Sequence, residues 1–467
     1  MQIISAVYNF LWGDLIQLPL PGGGTLGVSI LVALLIPAGI YFTIRSRCLP
    51  VRCFPEMIRI SLERGGAQKK GALSGMQALI VSTATRVGMG NMVGVVAALS
   101  AGGPGAVFWM WITALIGSST AFVEATLAQQ HKQIDPLYGG YRGGPAYYIH
   151  DFFTRGKARR YSVIAVLFAL SGLLCWCGVS QVISNSVSSA IKAAFGVPPI
   201  VSTVILVALA AFIVLRRNAT VKVLDVMVPV MAGFYFLLAV IIIVRNAGLL
   251  PGVLKQIVEE AFGLRQAAAG AFGAALMNGV KRGLFSNEAG SGSAPCASAA
   301  ADVSHPAKAG LFQAFGVFID TIVICTCTAM IMLLAPAEKI QGLEGMALLQ
   351  TAMHHHFGQP GVIFTAVTLW LFSFSTFIGI LYYARSNVAY LFGDNWPSQT
   401  IYKLLALVML FIGGLAAYTF VWDLGDIGVG LMTIFNIIAI LPMSGQALNE
   451  LKDYTEICKK RKEEKKK

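Results

Sequence analysis

The sequence predicts an all-α polytopic membrane protein of about eleven transmembrane helices, one extra N-terminal helix followed by a five-plus-five inverted repeat. Three observations carry this expectation. The 467 residues are 56% hydrophobic and only 12% charged, which is more apolar surface than a water-soluble domain of this size can bury. Apolar runs near the ~20 residues that cross a bilayer recur from end to end, as at 30–44, 106–127, 201–215 and 362–383. Two of the runs are interrupted by polar, glycine-bearing stretches at comparable places in the two halves.

Reading apolar runs against Gly, Pro and charge gives spans near residues 26–44, 76–100, 105–128, 161–190, 199–215, 222–244, 266–285, 309–335, 361–384, 400–420 and 425–442. The first thirty residues lack a basic leader and a small-residue cleavage site, so the first helix is expected to remain as an anchor. The linker that follows carries Arg45, Arg47, Arg52, Arg59, Arg64, Lys69 and Lys70, which marks it as cytoplasmic and the N-terminus as outside. Every second loop should then be basic. Lys132, Arg142, Arg155, Lys157, Arg159 and Arg160 fall in the next inner loop and Arg216, Arg217 and Lys222 in the one after, while the outer turns at 100–104 and 195–199 carry no charge. An odd number of spans puts the basic C-terminal tail inside, in contact with lipid or simply solvated. The chain divides into 1–70 (N-terminal helix and basic linker), 71–245 (first repeat), 246–445 (second repeat) and 446–467 (tail).

The formal net charge of +13 follows the loops, so it records orientation in an inner membrane and not a nucleic-acid surface. Of the eight cysteines, the pairs Cys175/Cys177 and Cys325/Cys327 sit in apolar segments and have no metal or redox spacing, which suits packing. His354, His355 and His356 are expected in a solvated outer loop, because three adjacent side chains rarely converge on one ion.

The first interruption is the run from Ser82 to Asn91, with Thr83, Thr85, Arg86, Gly88 and Gly90 inside it; the second is expected at 275–284, with Asn278, Gly279, Lys281 and Arg282. Unpaired backbone survives in a bilayer only where it is buried in protein or lines a wet cavity. A half-helix restarting at Gly88 would aim free N–H groups and a positive dipole end at an anion such as an amino-acid carboxylate. Carbonyls at the end of the preceding half-helix would suit Na+ or an ammonium. Gly90 and Gly94 also fit a small-xxx-small packing contact, but that contact does not require the polar string around them. Two intramembrane charges, Arg86 and Asp320, are expected to share a polar network, as an ion pair or with Asp320 helping to hold a cation. Glu124 and Arg385 lie near cytoplasmic ends, where they either snorkel or form an inner gate. Ser375 and Thr376 offer adjacent hydroxyls, which either join a hard-oxygen cation shell or bond their own helix carbonyls.

The run Gly102-Gly-Pro-Gly-Ala-Val-Phe-Trp-Met-Trp-Ile-Thr-Ala-Leu-Ile-Gly117 resembles the diagnostic motif of the alanine or glycine:cation symporter family. Further resemblances are Thr43-Ile-Arg45, Val87-Gly88 with Gly90-Asn91, Glu124-Ala-Thr-Leu-Ala128, Gly143-Gly-Pro-Ala-Tyr-Tyr148, Gly283-Leu-Phe-Ser-Asn-Glu-Ala-Gly290 and Gly316-Val-Phe-Ile-Asp-Thr321. The resemblance implies a leucine-transporter-like fold with substrate between the broken first and sixth core helices. It implies a sodium site from the carbonyls of Ala84, Val87 and Phe372 with the hydroxyls of Ser375 and Thr376. Substrate contacts would come from Gly88, Met89 and Gly90, from Ala275, Leu276, Met277 and Asn278, and from Gln181. Met89, Ile380 and Arg385 depart from the pattern, where the family usually has Thr, Trp and Glu.

The expected activity is Na+-coupled import of a small neutral amino acid, alanine or glycine foremost, with H+ as the alternative coupling ion. The expected partners are that amino acid and membrane lipid, with no nucleic acid and no obligatory protein partner. A cation channel or a non-transporting amino-acid sensor is the rival reading. An enzyme is not expected, because no HExxH, Gly-x-Ser-x-Gly or His-Asp-Ser set is present.

Overall fold

The computed structural model describes residues 2–19, 25–62, 73–137, 139–154, 161–215, 220–264 and 269–464. Several basic loop residues noted above, Arg64, Lys69, Lys70, Arg155, Lys157, Arg159, Arg160, Arg216 and Arg217, lie outside them, as do residues 465–467.

The chain opens with α1 (Gln2–Trp12), a hairpin of β1 (Ile16–Pro19) and β2 (Thr25–Val28), and α2 (Ile30–Arg45), whose first turn is capped by the Ser29 side chain accepting from Val32 N. Two short helices follow, α3 (Leu49–Arg52) and the amphipathic α4 (Phe54–Ser61). After β3 (Leu73–Ser74), a reciprocal Ser74/Gln77 capping box starts α5 (Gly75–Thr85). A π-helical stretch, Arg86–Gly94, links it to α6 (Val95–Gly102), and α7 (Gly105–Gln130) returns. The first half continues through β4 (Gln133–Ile134), β5 (Tyr141–Arg142), α8 (Pro145–Thr154), α9 (Val163–Phe195), α10 (Pro199–Val214) and α11 (Thr220–Arg245).

The second half repeats the plan. It begins with α12 (Leu250–Ala261) and α13 (Ala269–Asn287), then α14 (Pro295–Ala299), β6 (Ala301–Asp302) and α15 (Pro306–Val317). A second π-helical stretch, Phe318–Cys325, joins α15 to α16 (Thr326–Leu333). The chain closes with α17 (Ala337–Ile340), α18 (Met346–Phe357), α19 (Gln359–Phe392), α20 (Trp396–Gly413) and the long α21 (Tyr418–Glu464).

Two links fix the relative directions of the halves. Leu73 and Ser74 pair in parallel with Ala301 and Asp302, and Lys132, just past α7, donates to the Ala301 carbonyl at 3.0 Å. The start of α5, the end of α7 and the end of α14 therefore share one end of the bundle. From it α5–α6 runs away and α7 returns, whereas α13–α14 runs toward it and α15–α16 away. This opposite sense is the inverted repeat.

Eight described helices are long and apolar enough to cross a membrane, and α2 and α10 are shorter apolar ones. The sequence expectation of about eleven spans counts α2, α10 and α13 with them. These differ because α2 and α10 have only 16 helical residues each and α13 carries Lys281 and Arg282. The histidine cluster is also placed differently: His354, His355 and His356 end α18 instead of lying in a loop, and the His356 ring donates from Nε2 to the Ile331 carbonyl at 2.9 Å.

The far end of α21 is anchored on α4. Glu56 accepts from Arg59, Tyr454 and Arg461. Burial alone would raise the Glu56 carboxyl, but the hydrogen bonds from Arg59, Tyr454 and Cys458 prevail and bring it down to about 2.

Candidate functional site

The first interruption lies where the sequence reading put it. Helical geometry fails at Val87 (φ −78°, ψ 70°) and Gly88 (φ −147°, ψ −145°), and every residue of Arg86–Gly94 is buried. A helix would direct the Gly88 and Met89 amides back to carbonyls four or five residues earlier, Ala84 among them. Instead Gly88 N–H donates to Asn91 Oδ1 at 2.9 Å and Met89 N–H donates to Thr376 Oγ1 at 3.1 Å. The Ala84 carbonyl thus loses its usual helical donors beside α19, and the Val87 carbonyl stands at the kink.

Across from the break, Ser375 and Thr376 Oγ atoms both donate to the Phe372 carbonyl, at 2.9 and 2.8 Å. The helix-bonded alternative for these hydroxyls therefore holds in this conformation, while Thr376 also receives the Met89 amide. The approach is close: a Cβ on Gly88 would stand 2.0 Å from Thr376 Oγ1 and 3.4 Å from the Phe372 oxygen. Hence Val87, Gly88, Met89, Phe372, Ser375 and Thr376, remote in sequence, form one buried cluster with backbone and hydroxyl oxygens suited to a hard cation.

The second interruption is displaced from the expected 275–284. The chain stays helical through Asn287 and opens over residues 288–294, where Glu288 (φ 57°), Gly290 (φ 99°) and Gly292 (φ 80°) take left-handed backbone. The polar residues that suggested the earlier position have partners while remaining helical. Asn278 Nδ2 donates to its own Ala274 carbonyl at 2.9 Å, and Arg282 makes two bonds to Asp426, at 3.0 and 3.1 Å. Glu124 and Asn436 brace the true opening: Gly290 N–H donates to Glu124 Oε2 at 3.1 Å, and Asn436 Nδ2 donates to the Gly290 carbonyl at 3.0 Å and to Glu124.

A cavity lies between the two openings, lined by Met89, Gly90, Trp176, Phe285, Glu288 and Thr376, with Ser291, Ser293, Ile380 and Met432 among the others. Ala275, Leu276, Met277 and Asn278 do not line it. Leu276 packs with Val28 and Val32 instead, and the Asn278 Cβ faces Gly102. Gln181 is also directed elsewhere. Its backbone abuts Gly413, where a Cβ would come within 2.2 Å, and its Nε2 lies 3.4 Å from the Met409 sulfur.

Arg86 and Asp320 do not pair with each other. Arg86 Nη1 donates to the Gln313 carbonyl at 3.2 Å and to its Oε1 at 3.0 Å, in space left by Gly316. Asp320 instead accepts from Asn91, from Ser286 at 3.1 and 3.2 Å, and from Thr321 at 2.6 Å. Asn91 is the hinge of this cluster, since it also caps the first break. Glu124 and Arg385 likewise stay apart. Arg385 contacts Asp135 and lies 3.8 Å from Asp394, which Arg142 holds at 2.8 Å.

Two ionic clusters lie outside the cavity lining, one on either side of the bundle's middle. In one, Asp426 holds Lys281 at 2.6 Å and Arg282 at 3.0 Å, with the guanidinium 4.0 Å from the Trp422 ring centroid. In the other lie Asp135, Arg142, Arg385 and Asp394, with Cys296 beside them. Sequence reading missed Glu288, Asp426, Asp135, Asp394 and Asn436. Asp426, a charge in an apolar span, was the readable signal among them; the 288–293 run Glu-Ala-Gly-Ser-Gly-Ser was another.

The chain matches the Sodium:alanine symporter family over residues 22–467. It is 44% identical to the "Probable sodium/glutamine symporter GlnT" of Bacillus subtilis over 91% of this chain and 88% of that protein. It is 42% identical to the "Amino-acid carrier protein AlsT" of the same organism, over 90% and 88%. The "Sodium/alanine symporter AgcS" of Methanococcus maripaludis is 32% identical over 98% of both. Among solved structures, MhsT in complex with L-phenylalanine superposes with a TM-score of 0.54 at 13% identity, covering 83% of this chain and 89% of that one, a likeness of fold.

Proposed function

The chain belongs to the sodium:alanine symporter family, whose members are transporters, and it has the leucine-transporter-like fold; from that premise we propose that it imports a small neutral amino acid with Na+ by alternating access. Alanine and glycine are the first candidates, and glutamine joins them from the relative's name. The observation that carries this reading is the open backbone at Val87 and Gly88, held against Phe372 and Thr376 at the edge of the cavity.

In this mechanism Na+ sits among the carbonyls of Ala84, Val87 and Phe372 and the hydroxyls of Ser375 and Thr376. The hydroxyl protons turn off the Phe372 carbonyl to make room for it. The cation fixes the break, and so raises the affinity of the Met89 and Gly90 segment for the substrate carboxylate. Asp320, with Asn91, Ser286 and Thr321, is the second polar cluster that a coupling cation or H+ would engage. A membrane potential adds about 2.3 kcal/mol per inward charge per 100 mV, enough for one Na+ to drive substantial accumulation. Residues 71–245 and 246–445 act as the two inverted repeats. The basic residues Arg45, Arg52 and Lys132 favour an inner-membrane orientation in which the Asp135 end is cytoplasmic, the Asp426 end external and α21 ends inside.

Ser375→Ala combined with Thr376→Ala tests the cation site. In proteoliposomes the pair should reduce sodium stimulation of amino-acid uptake by about tenfold or more, the loss of one or two charge-assisted oxygen contacts. Uptake with the wild-type sodium dependence removes this site. Amino-acid-dependent 22Na+ entry in the wild type separates a symporter from a channel, which passes Na+ without substrate.

Asp135→Asn tests the cytoplasmic closure. Arg385 then faces a neutral amide in place of the Asp135 carboxylate, its 3.8 Å contact with Asp394 remains, and the closed state weakens. Maleimide modification of Cys296, only 3% exposed, should rise several-fold. An unchanged rate means that the four charges do not hold this end shut.

A further inference from the structure

A zwitterion entering the cavity needs a negative partner for its ammonium, and among the described residues lining it Glu288 is the one carboxylate. We propose that the Glu288 carboxylate holds the α-ammonium of the transported amino acid and so selects amino acids over simple carboxylates. This rests on the symporter reading and names the group that does the selecting.

Backbone geometry is the first support. Glu288 has a φ of 57°, a left-handed conformation that side-chain-bearing residues adopt at a cost and that persists where a functional site needs it. It stands at the first residue beyond α13, so the side chain issues from the second opening at the edge of the cavity instead of following the helix. Ser293 Oγ donates to Glu288 Oε2 at 2.8 Å, and Ser291 Oγ donates to the Glu288 carbonyl at 2.8 Å, which orients both ends of the residue.

The second support is the field across the cavity. Gly90, in the restarting half-helix, faces the last turn of α13: a Cβ on it would lie 3.6 Å from the Phe285 carbonyl oxygen. The restarting helix presents positive N–H ends, whereas the end of α13 presents carbonyls and adds Glu288 to them. A zwitterion therefore has one orientation, carboxylate toward Met89 and Gly90, ammonium toward Glu288. Trp176, Val179, Ile380, Val429 and Met432 add apolar wall that receives a neutral side chain. An ammonium stripped of water among them is costly unless paired with an opposite charge. A hydroxy acid of the same shape brings the carboxylate but no cation, and leaves the Glu288 carboxylate facing a neutral hydroxyl.

The test is equilibrium dialysis of the purified full-length protein in Na+, comparing labelled L-alanine, glycine and L-glutamine with L-lactate and glycolate. The wild type should prefer alanine to lactate strongly. Glu288→Gln should narrow that preference by about 30- to 100-fold, chiefly by weakening alanine, as expected for a hydrogen bond between charged groups. Glu288→Asp should retain part of the preference. Ser293→Ala, which leaves the carboxylate in place but less well oriented, should narrow it a few-fold. If these variants keep the wild-type alanine-to-lactate ratio, whether or not overall affinity falls, Glu288 does not touch the ammonium. A wild type that binds none of the three amino acids in Na+ overturns the symporter reading itself. Wild-type binding with unaltered ratios in the variants overturns only the Glu288 assignment.

Discussion

Gly88→Ala is expected to abolish sodium-driven uptake, because the added Cβ would lie 2.0 Å from Thr376 Oγ1. Either the first break moves away from α19 or Thr376 leaves its position, and both outcomes separate the Met89 amide from its hydroxyl acceptor. A rearranged core contact of this kind costs about 1–3 kcal/mol, but the functional loss is larger. The break and the α19 oxygens must stand within one cation's reach, and a shift of ~1 Å already defeats such a site. A double variant separates sterics from chemistry. Gly88→Ala with Thr376→Ala removes the colliding oxygen, so thermal stability in detergent should recover while sodium stimulation stays absent. Sodium-dependent uptake by Gly88→Ala alone, at the wild-type level, contradicts the close packing that places the cation site here.

Asp426→Asn should release the closure at the other end. Asp426, 2% exposed, is the shared acceptor for Lys281 and Arg282, and the amide that replaces it leaves two buried cations facing a neutral group. Breaking a buried ion pair on one side costs about 3–5 kcal/mol. That cost falls on the closed conformation, so the population of the open one should rise by roughly a hundredfold to a few thousandfold. Cys175, 3% exposed and part of the cavity wall, reports this directly. Its labelling by a membrane-impermeant maleimide, read on the isolated peptide, should increase in the variant and be suppressed by saturating substrate. Arg282→Met should act in the same direction but more weakly, because Lys281 still neutralises Asp426. Equal labelling of wild type and Asp426→Asn shows that the ionic cluster is not a gate.

The membrane class and the first break were legible because their causes are local. Apolar length is a property of the run itself, and Gly88-Met-Gly-Asn91 combines two glycines with a side chain that caps the opening three residues earlier. The second break was misplaced because polarity has two causes that composition does not separate. Asn278, Lys281 and Arg282 are polar inside an intact helix because their partners are its own backbone and a distant carboxylate. The real opening at 288–294 is written in small residues and three left-handed positions. Partner choice was the least legible. Arg86 turned to Gln313 and Arg385 to Asp135, groups brought close only by the packing of distant segments. Depth along a span, which the sequence does give, says which charges are level with each other but not which face each other.

The short ladder between residues 73–74 and 301–302 has a mechanical consequence. It joins the foot of one interrupted helix to the foot of the other by main-chain bonds, which no side-chain rotation can undo. Neither foot can tilt without dragging its counterpart. Any rocking of the pair therefore has a common pivot at the Lys132 end, and compliance must come from the loosened coils above it.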